Sequence, residues 1–378
     1  MQKRLTLKLI AACAVMTCAG TTFAQDVIKI SNIVELSGGG ATAGTNFKNG
    51  VELAVKEINA AGGVMGKKIQ STTSDTQTNP GVAKGLTQKA VDDGAFAIFG
   101  PVFSGSIMVS MAESRRAEVP NFTGGEAASI TAQGNPYVFR TSFGQSTSFP
   151  KVARYIQGKA KTIAVIYVNN DFGKGGRDAI TKLLETGPTK IVADISTDAG
   201  QVDFSAAVIK AKQSNADAVF IYTNEEESAR ALRELRKQGW TKPVIGETTL
   251  TGQKVIELAG EAANGALAHV GLTVDAPQFK AFGDKYQKEY NAVSDHNGIK
   301  GYTGVYVLKA AIEKAGKLDR KAVAAALHNA SFSVKQHPGI LLDVAYDDKG
   351  DMDRESFLVE VKGGKQVVVE TLPAVGKK

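Results

Sequence analysis

Short apolar runs rich in β-branched residues alternate with helix-period patterns along almost the whole chain, and this alternation narrows the possible folds most. Residues 28–34, 68–74, 96–99, 162–168, 191–195 and 218–222 read as strands. Between them, residues 50–60, 80–92, 105–116, 173–185, 204–213 and 225–238 carry helical spacing. Strands that are apolar throughout are buried on both faces, and βαβ units supply helices to cover them, so parallel sheets are expected. The pattern runs twice. One break falls at residues 141–150, where Ser, Thr, Phe and Gly replace the periodicity, and another at 271–277. Long helices are expected beyond it at about 279–291 and 303–315, then C-terminal strands near 356–361 and 366–370. The fold class is therefore α/β, with two doubly wound units.

The first 24 residues stand apart. Lys3, Arg4 and Lys8 precede an apolar stretch from Leu9 to Gly20, and Thr22-Phe23-Ala24 offers the small residues of a leader cleavage site. About a dozen apolar residues fall short of the roughly 20 a membrane-spanning helix needs. A cleaved signal peptide over residues 1–24, and export to the periplasm, are expected. Both cysteines, Cys13 and Cys18, lie in that leader, so the mature chain has no thiol for a disulfide, a nucleophile or a metal. About 354 residues remain, a length typical of two domains. They hold 42 basic and 38 acidic residues with no basic run, which gives nucleic acid binding no electrostatic basis.

Within the first unit, Val51, Ala54, Val55 and Ile58 share one helical face, and Asn59 with Gly62-Gly63 ends the helix. The stretch Asn49 to Lys68, N-G-V-E-L-A-V-K-E-I-N-A-A-G-G-V-M-G-K-K, resembles the opening helix of the leucine/isoleucine/valine-binding-protein family of bacterial solute receptors. Asp92-Asp93-Gly94-Ala95, Phe99-Gly100-Pro101, Phe139-Arg140-Thr141, Lys161 to Ile166 and Tyr302 to Gly316 extend the resemblance over the mature chain. It implies a type I periplasmic binding fold, two lobes joined by a three-crossing hinge. Lobe one would comprise residues 26–145 and 273–350, and lobe two residues 146–272 and 351–378. It further implies a monomeric receptor, without cofactor, that closes on a small ligand (amino acid, aromatic acid or amide) and delivers it to an inner-membrane ABC permease.

Parallel sheets bind ligands beyond the carboxyl ends of their strands, where loops meet helix N-termini. Ser104, Gly105 and Ser106 follow an expected buried strand and open a helix, where free N–H groups and the dipole favour an anion. The family resemblance gives Ser104 a ligand carboxylate to hold; the residue type alone equally suits a helix cap. A second loop, Gly124-Gly125-Glu126, offers backbone groups for close approach, but Glu126 falls where the family has a hydroxyl residue. Either Glu126 faces solvent, the favoured reading, or the ligand presents a donor to it. Ala43 takes a position where relatives often have an aromatic, Asn224 that of another aromatic, and Thr248 that of the acid that holds an ammonium. Glu225, Glu226 and Glu247 are nearby acids that can compensate.

The four histidines are scattered without ligand spacing, there is no G-x-S-x-G elbow, and Gly173-Lys174-Gly175-Gly176 lacks the phosphate-loop pattern. Asp347 to Asp351 has the wrong spacing for a calcium loop and reads as the third crossing. These residues point to a binding protein rather than an enzyme. A periplasmic ligand-sensing module is the alternative output for the same architecture, and an exported α/β enzyme a remote one.

Overall fold

The computed structural model of the chain describes residues 27–376; the expected leader and both cysteines lie outside them. The first part runs β1 (Ile28–Val34), α1 (Ala41–Ala60), β2 (Ile69–Asp75), α2 (Pro80–Asp92), β3 (Ala97–Phe99), α3 (Ser104–Ala117), β4 (Asn121–Thr123), α4 (Ser129–Ala132) and β5 (Val138–Arg140). The second runs α5 (Gln145–Gln157), β6 (Thr162–Val168), α6 (Asp171–Leu184), β7 (Lys190–Thr197), α7 (Ser205–Gln213), β8 (Ala218–Tyr222), α8 (Glu225–Lys237), β9 (Val244–Gly246), α9 (Gln253–Ala259) and β10 (Ala266–Val270). There follow α10 (Lys280–Tyr290), α11 (His296–Ala315), α12 (Arg320–Leu327), a three-stranded sheet of β11 (Ser331–Phe332), β12 (Val344–Tyr346) and β13 (Met352–Asp353), then β14 (Ser356–Lys362) and β15 (Lys365–Leu372).

The strands form a five-stranded parallel sheet, β2-β1-β3-β4-β5, and a seven-stranded sheet, β15-β14-β10-β9-β8-β6-β7. In the second, β6 to β10 pair in parallel, whereas β14 and β15 join antiparallel through a hairpin with Gly363 and Gly364 at positive φ. The chain passes between the sheets three times. It leaves the first after β5, returns after β10 so that α10 and α11 pack on α1, and leaves again through residues 354–355 into β14. Asp347 to Asp351 is therefore not the crossing itself. It is the turn between β12 and β13, closed by the Asp347 carboxylate accepting from Lys349 N at 2.8 Å and Asp351 N at 2.9 Å.

Local chemistry explains the boundaries. Asn79 caps α2, accepting from the N–H groups of Gly81 and Val82, and Pro80 opens the helix where no N–H is needed. Asp295 caps α11 in the same way, from Asn297 N at 2.8 Å and Gly298 N at 3.2 Å. Some helices exceed their expected limits, α11 among them, which begins at His296 rather than 303. α1 begins at Ala41 rather than 50, because buried Ala43, Gly44 and Phe47 continue its packed face toward the N-terminus. α5 occupies most of the expected 141–150 break and carries Pro150 inside it. Phe149, Val152, Ala153 and Ile156 bury their side chains against the second sheet, and that burial outweighs the backbone hydrogen bond the proline lacks. Among the described residues, no helix is long and apolar enough to cross a membrane.

Candidate ligand-binding site

The carboxyl ends of the parallel strands of both sheets open on one cavity of about 750 Å³. Gly38, Gly39 and Ala43 line it from the β1–α1 segment, Val102 to Ser106 from β3–α3, and Gly124 to Glu126 from the loop after β4. The second sheet contributes Asn170 and Phe172 from β6–α6, Gly200 after β7, Asn224 to Glu227 and Arg230 from β8–α8, and Thr249 after β9. His296, Asn297 and Lys300 enter from α11. A volume of this size suits a small organic molecule.

Eight of the nine site residues expected from sequence line this cavity: Ala43, Ser104, Gly105, Ser106, Gly124, Gly125, Glu126 and Asn224. Thr248 does not. Residues 248–251 form a single tight turn after β9 that buries Thr248 and presents Thr249 instead. Gap-free counting from Gly246 lands one residue early for that reason.

Ser104 is the first residue of α3 rather than its cap; the N-cap position is Phe103. Its hydroxyl accepts from Ala127 N at 3.2 Å, across to the neighbouring loop, which leaves its own proton to be donated into the cavity. A Cβ added at Gly125 would lie 2.3 Å from Ile107 Cδ1, so a larger residue there requires the Ile107 side chain to move. The loop is held from beneath by Arg140, fully buried, which donates to Gly125 O at 2.8 Å and Ala127 O at 2.7 Å and pairs with Asp351. Gln145, at the start of α5, ties the same loop to the second sheet: it accepts from Ala128 N and donates to Phe172 O and the Tyr222 hydroxyl.

Glu126 does not face solvent. It is 6 % exposed, and Lys300 Nζ, from α11, donates to its Oε1 at 2.9 Å and to Gly124 O at 3.1 Å. Burial raises the Glu126 carboxyl above its ordinary range; the charge of Lys300 opposes that rise, and the charge of Glu247 adds to it. The chain itself thus supplies the cation that Glu126 needs. Glu247 is buried as well, accepting at Thr248 N and meeting His269 Nδ1 at 2.9 Å. Desolvation lifts Glu247 to about 7 and drives His269 down to about 3, so the imidazole is neutral.

Two further residues shape the site without any sequence expectation. Glu35, just beyond β1, is fully buried, and its carboxylate accepts from Val102 N at 3.0 Å and Phe103 N at 3.1 Å, with the Ser106 hydroxyl alongside. A protein carboxylate therefore already occupies part of the donor nest before α3. Lys300 is the other. It lies in a buried stretch with glycine every third residue, Gly298, Gly301 and Gly304, and that spacing was the available sign of a close helix crossing. Among the described residues, no group of three or more potential metal-ligating side chains comes together.

Comparison with known proteins places this geometry. A family profile described as "Periplasmic binding protein" matches residues 27–366. A Leu/Ile/Val-binding protein, BraC3 of Rhizobium johnstonii, is 31% identical over 373 residues, covering 97% of this chain and 100% of that protein. The Leu/Ile/Val-binding protein of Escherichia coli K12 is 29% identical over 262 residues, 68% of this chain and 71% of that one. Among solved structures, the branched-chain amino acid substrate binding protein LivJ of Streptococcus pneumoniae, in complex with isoleucine, superposes with a TM-score of 0.82 at 27% identity, covering 92% of this chain and 99% of that one. A solute binding protein of an ABC transporter from R. palustris, in complex with benzoate, shares the fold with a TM-score of 0.84 at 23% identity, covering 93% and 98%.

Proposed function

Because this chain belongs to the periplasmic binding protein family, we propose that it is the solute-binding component of an ABC importer, taking an amino acid or a related small carboxylate into the cleft between its two sheets. The observation that carries this reading is the convergence of strand ends from both sheets on one cavity, with helix N-termini and small residues around it. Among the described residues, lobe one is taken as 27–145 and 273–353, and lobe two as 146–272 and 354–376, since β13 pairs with β12 and so stays with lobe one. Solute meets Ser104 and the first turn of α3 on lobe one, and lobe two closes over it by hinge motion in the three crossings. The leader over residues 1–24 sends the chain to the periplasm, where the closed form meets an inner-membrane permease. No step changes a covalent bond, so the chain works as a receptor and not as an enzyme.

A thermal-shift screen over aliphatic and aromatic amino acids, their amides and aromatic acids tests this. A solute at a hundred times its Kd adds about 2.7 kcal/mol to native stability. Ser104→Ala is expected to weaken the best binder by about tenfold, the worth of one hydrogen bond to a charged group, and to lower the stability of the free protein by about 1 kcal/mol, because it also strips Ala127 N of its acceptor. Binding of undiminished strength in that variant would remove Ser104 from the site.

A further inference from the structure

Two carboxyl groups meet where the lobes meet. Glu126 belongs to the loop after β4 in lobe one, Glu247 follows β9 in lobe two, and their side chains are hydrogen-bonded to each other. Both are buried, 6 % and 2 % exposed. A hydrogen bond between two carboxyl groups needs a proton, because two carboxylates can only accept. The surrounding contacts say where it sits. Glu126 takes the Lys300 ammonium at 2.9 Å, which favours its ionised form. Glu247 accepts from Thr248 N and meets His269 Nδ1 at 2.9 Å, and the neutral imidazole brings it no charge. Fully ionised, this buried group would hold two carboxylates against one cation. One proton on Glu247 makes it neutral.

Resting on the reading of the molecule as a hinged two-lobe receptor, we infer that Glu247 and Glu126 hold a single proton between the lobes, and that closing the cleft takes this proton up from water. The Glu247 carboxylate gains H⁺, and its O–H donates to Glu126. An O–H···O bond spans about 2.5–3.0 Å, so a displacement of about 1 Å between the lobes ends it, and water then reaches Glu247. Burial lifts Glu247 from its ordinary 4.5 to about 7 in the closed arrangement. A carboxyl raised by closure favours the closed form in full below about pH 4.5, and that contribution is lost as pH rises through about 7. A solute that closes the lobes is therefore bound more tightly at pH 6 than at pH 8. The other groups facing the pair are Lys300 of α11, Arg140 of β5, His269 of β10 and the Tyr222 hydroxyl of β8, with Lys151 of α5 acting on His269. Glu225 of α8 and Asp295 before α11 form a separate acid pair across the cleft, raised by burial to about 8 and about 6.

The test is calorimetric titration with L-leucine, L-phenylalanine and benzoate at about pH 6, 7 and 8, in buffers of different ionisation enthalpy so that protons are counted. The wild type is compared with two variants. In Glu247→Gln the amide donates to Glu126 without a proton from water, and His269 can switch tautomer because its Nε2 has no partner, so the variant should fold. Glu247→Met removes the titrating group with little change of volume. The contribution of Glu225 and Asp295 is common to all three proteins and cancels in the difference. For each solute that binds, the wild type is expected to take up close to one proton more than the variants at pH 6, about half at pH 7 and almost none at pH 8. Its affinity should fall about tenfold from pH 6 to pH 8, and both variants should lose that slope. Binding without proton uptake, or uptake equal in the wild type and the variants, overturns the inference and leaves the cleft as the solute site. No binding by any of the three solutes overturns both.

Discussion

Lys300 and Glu126 set the electrostatics of the first wall as a pair, with both side chains almost wholly removed from water. Such a pair stabilises little when compared with an apolar substitute, but leaving one member alone is costly. Lys300→Met should destabilise the fold by about 3–5 kcal/mol in denaturant titration, and adding Glu126→Gln should recover most of that loss. Equal losses in the single and double variants would show that the two charges are not coupled. This pair also marks the limit of legibility at the residue scale. The loops at 104–106 and 124–126 were readable because glycine and serine after a buried strand have a physical reason to be there. The environment of Glu126 was not, because its partner lies 174 positions away in a helix whose first turns carry no apolar periodicity. The loop after β9 failed for a smaller reason, a tight turn that shifts the cavity-facing residue from 248 to 249.

Among the secondary-structure elements, the crossing of α1 and α11 does most to position the site. The helices touch backbone to backbone: a Cβ added at Gly50 would lie 1.9 Å from Gly298 O, and one at Gly301 would lie 2.1 Å from Phe47 O. That approach fixes α11 so that its first turns deliver His296, Asn297 and Lys300 to the cavity. Gly301→Val should push the helices apart, lowering stability by about 3 kcal/mol and weakening solute binding together, because Lys300 moves with the helix. Loss of stability with unchanged affinity would separate the crossing from the site. Eight of the fifteen strands among the described residues were expected from sequence, β1, β6 and β8 to the residue, since a longer β-branched run between turn residues has few alternatives; β4, β5 and β9 to β13, most of them only two or three residues long, were not. The starts of α1 and α11 were missed because those turns are rich in glycine, alanine, asparagine and threonine and so carry little amphipathic signature, and in α11 they are also buried all round. Pro150 misled in the other direction, since packing in α5 overrides a local breaker.

At the scale of the whole molecule, the arrangement couples two sheets through three short crossings and one shared cavity. The walls already approach at Gly105, where an added Cβ would lie 3.4 Å from Asp171 Oδ2 of the facing lobe. Gln145 and Arg140 anchor the site loop near the first crossing, so relative motion of the sheets is felt directly at residues 125–128. A solute gripped from both walls favours the closed form by its difference in affinity for the two forms. Small-angle X-ray scattering, with and without the tightest solute from the thermal screen at saturation, tests this directly. The radius of gyration should fall on binding and recover on dialysis, with the solute returned chemically unchanged. A radius that stays the same at full occupancy, or a solute that comes back altered, would contradict a hinged, non-covalent trap.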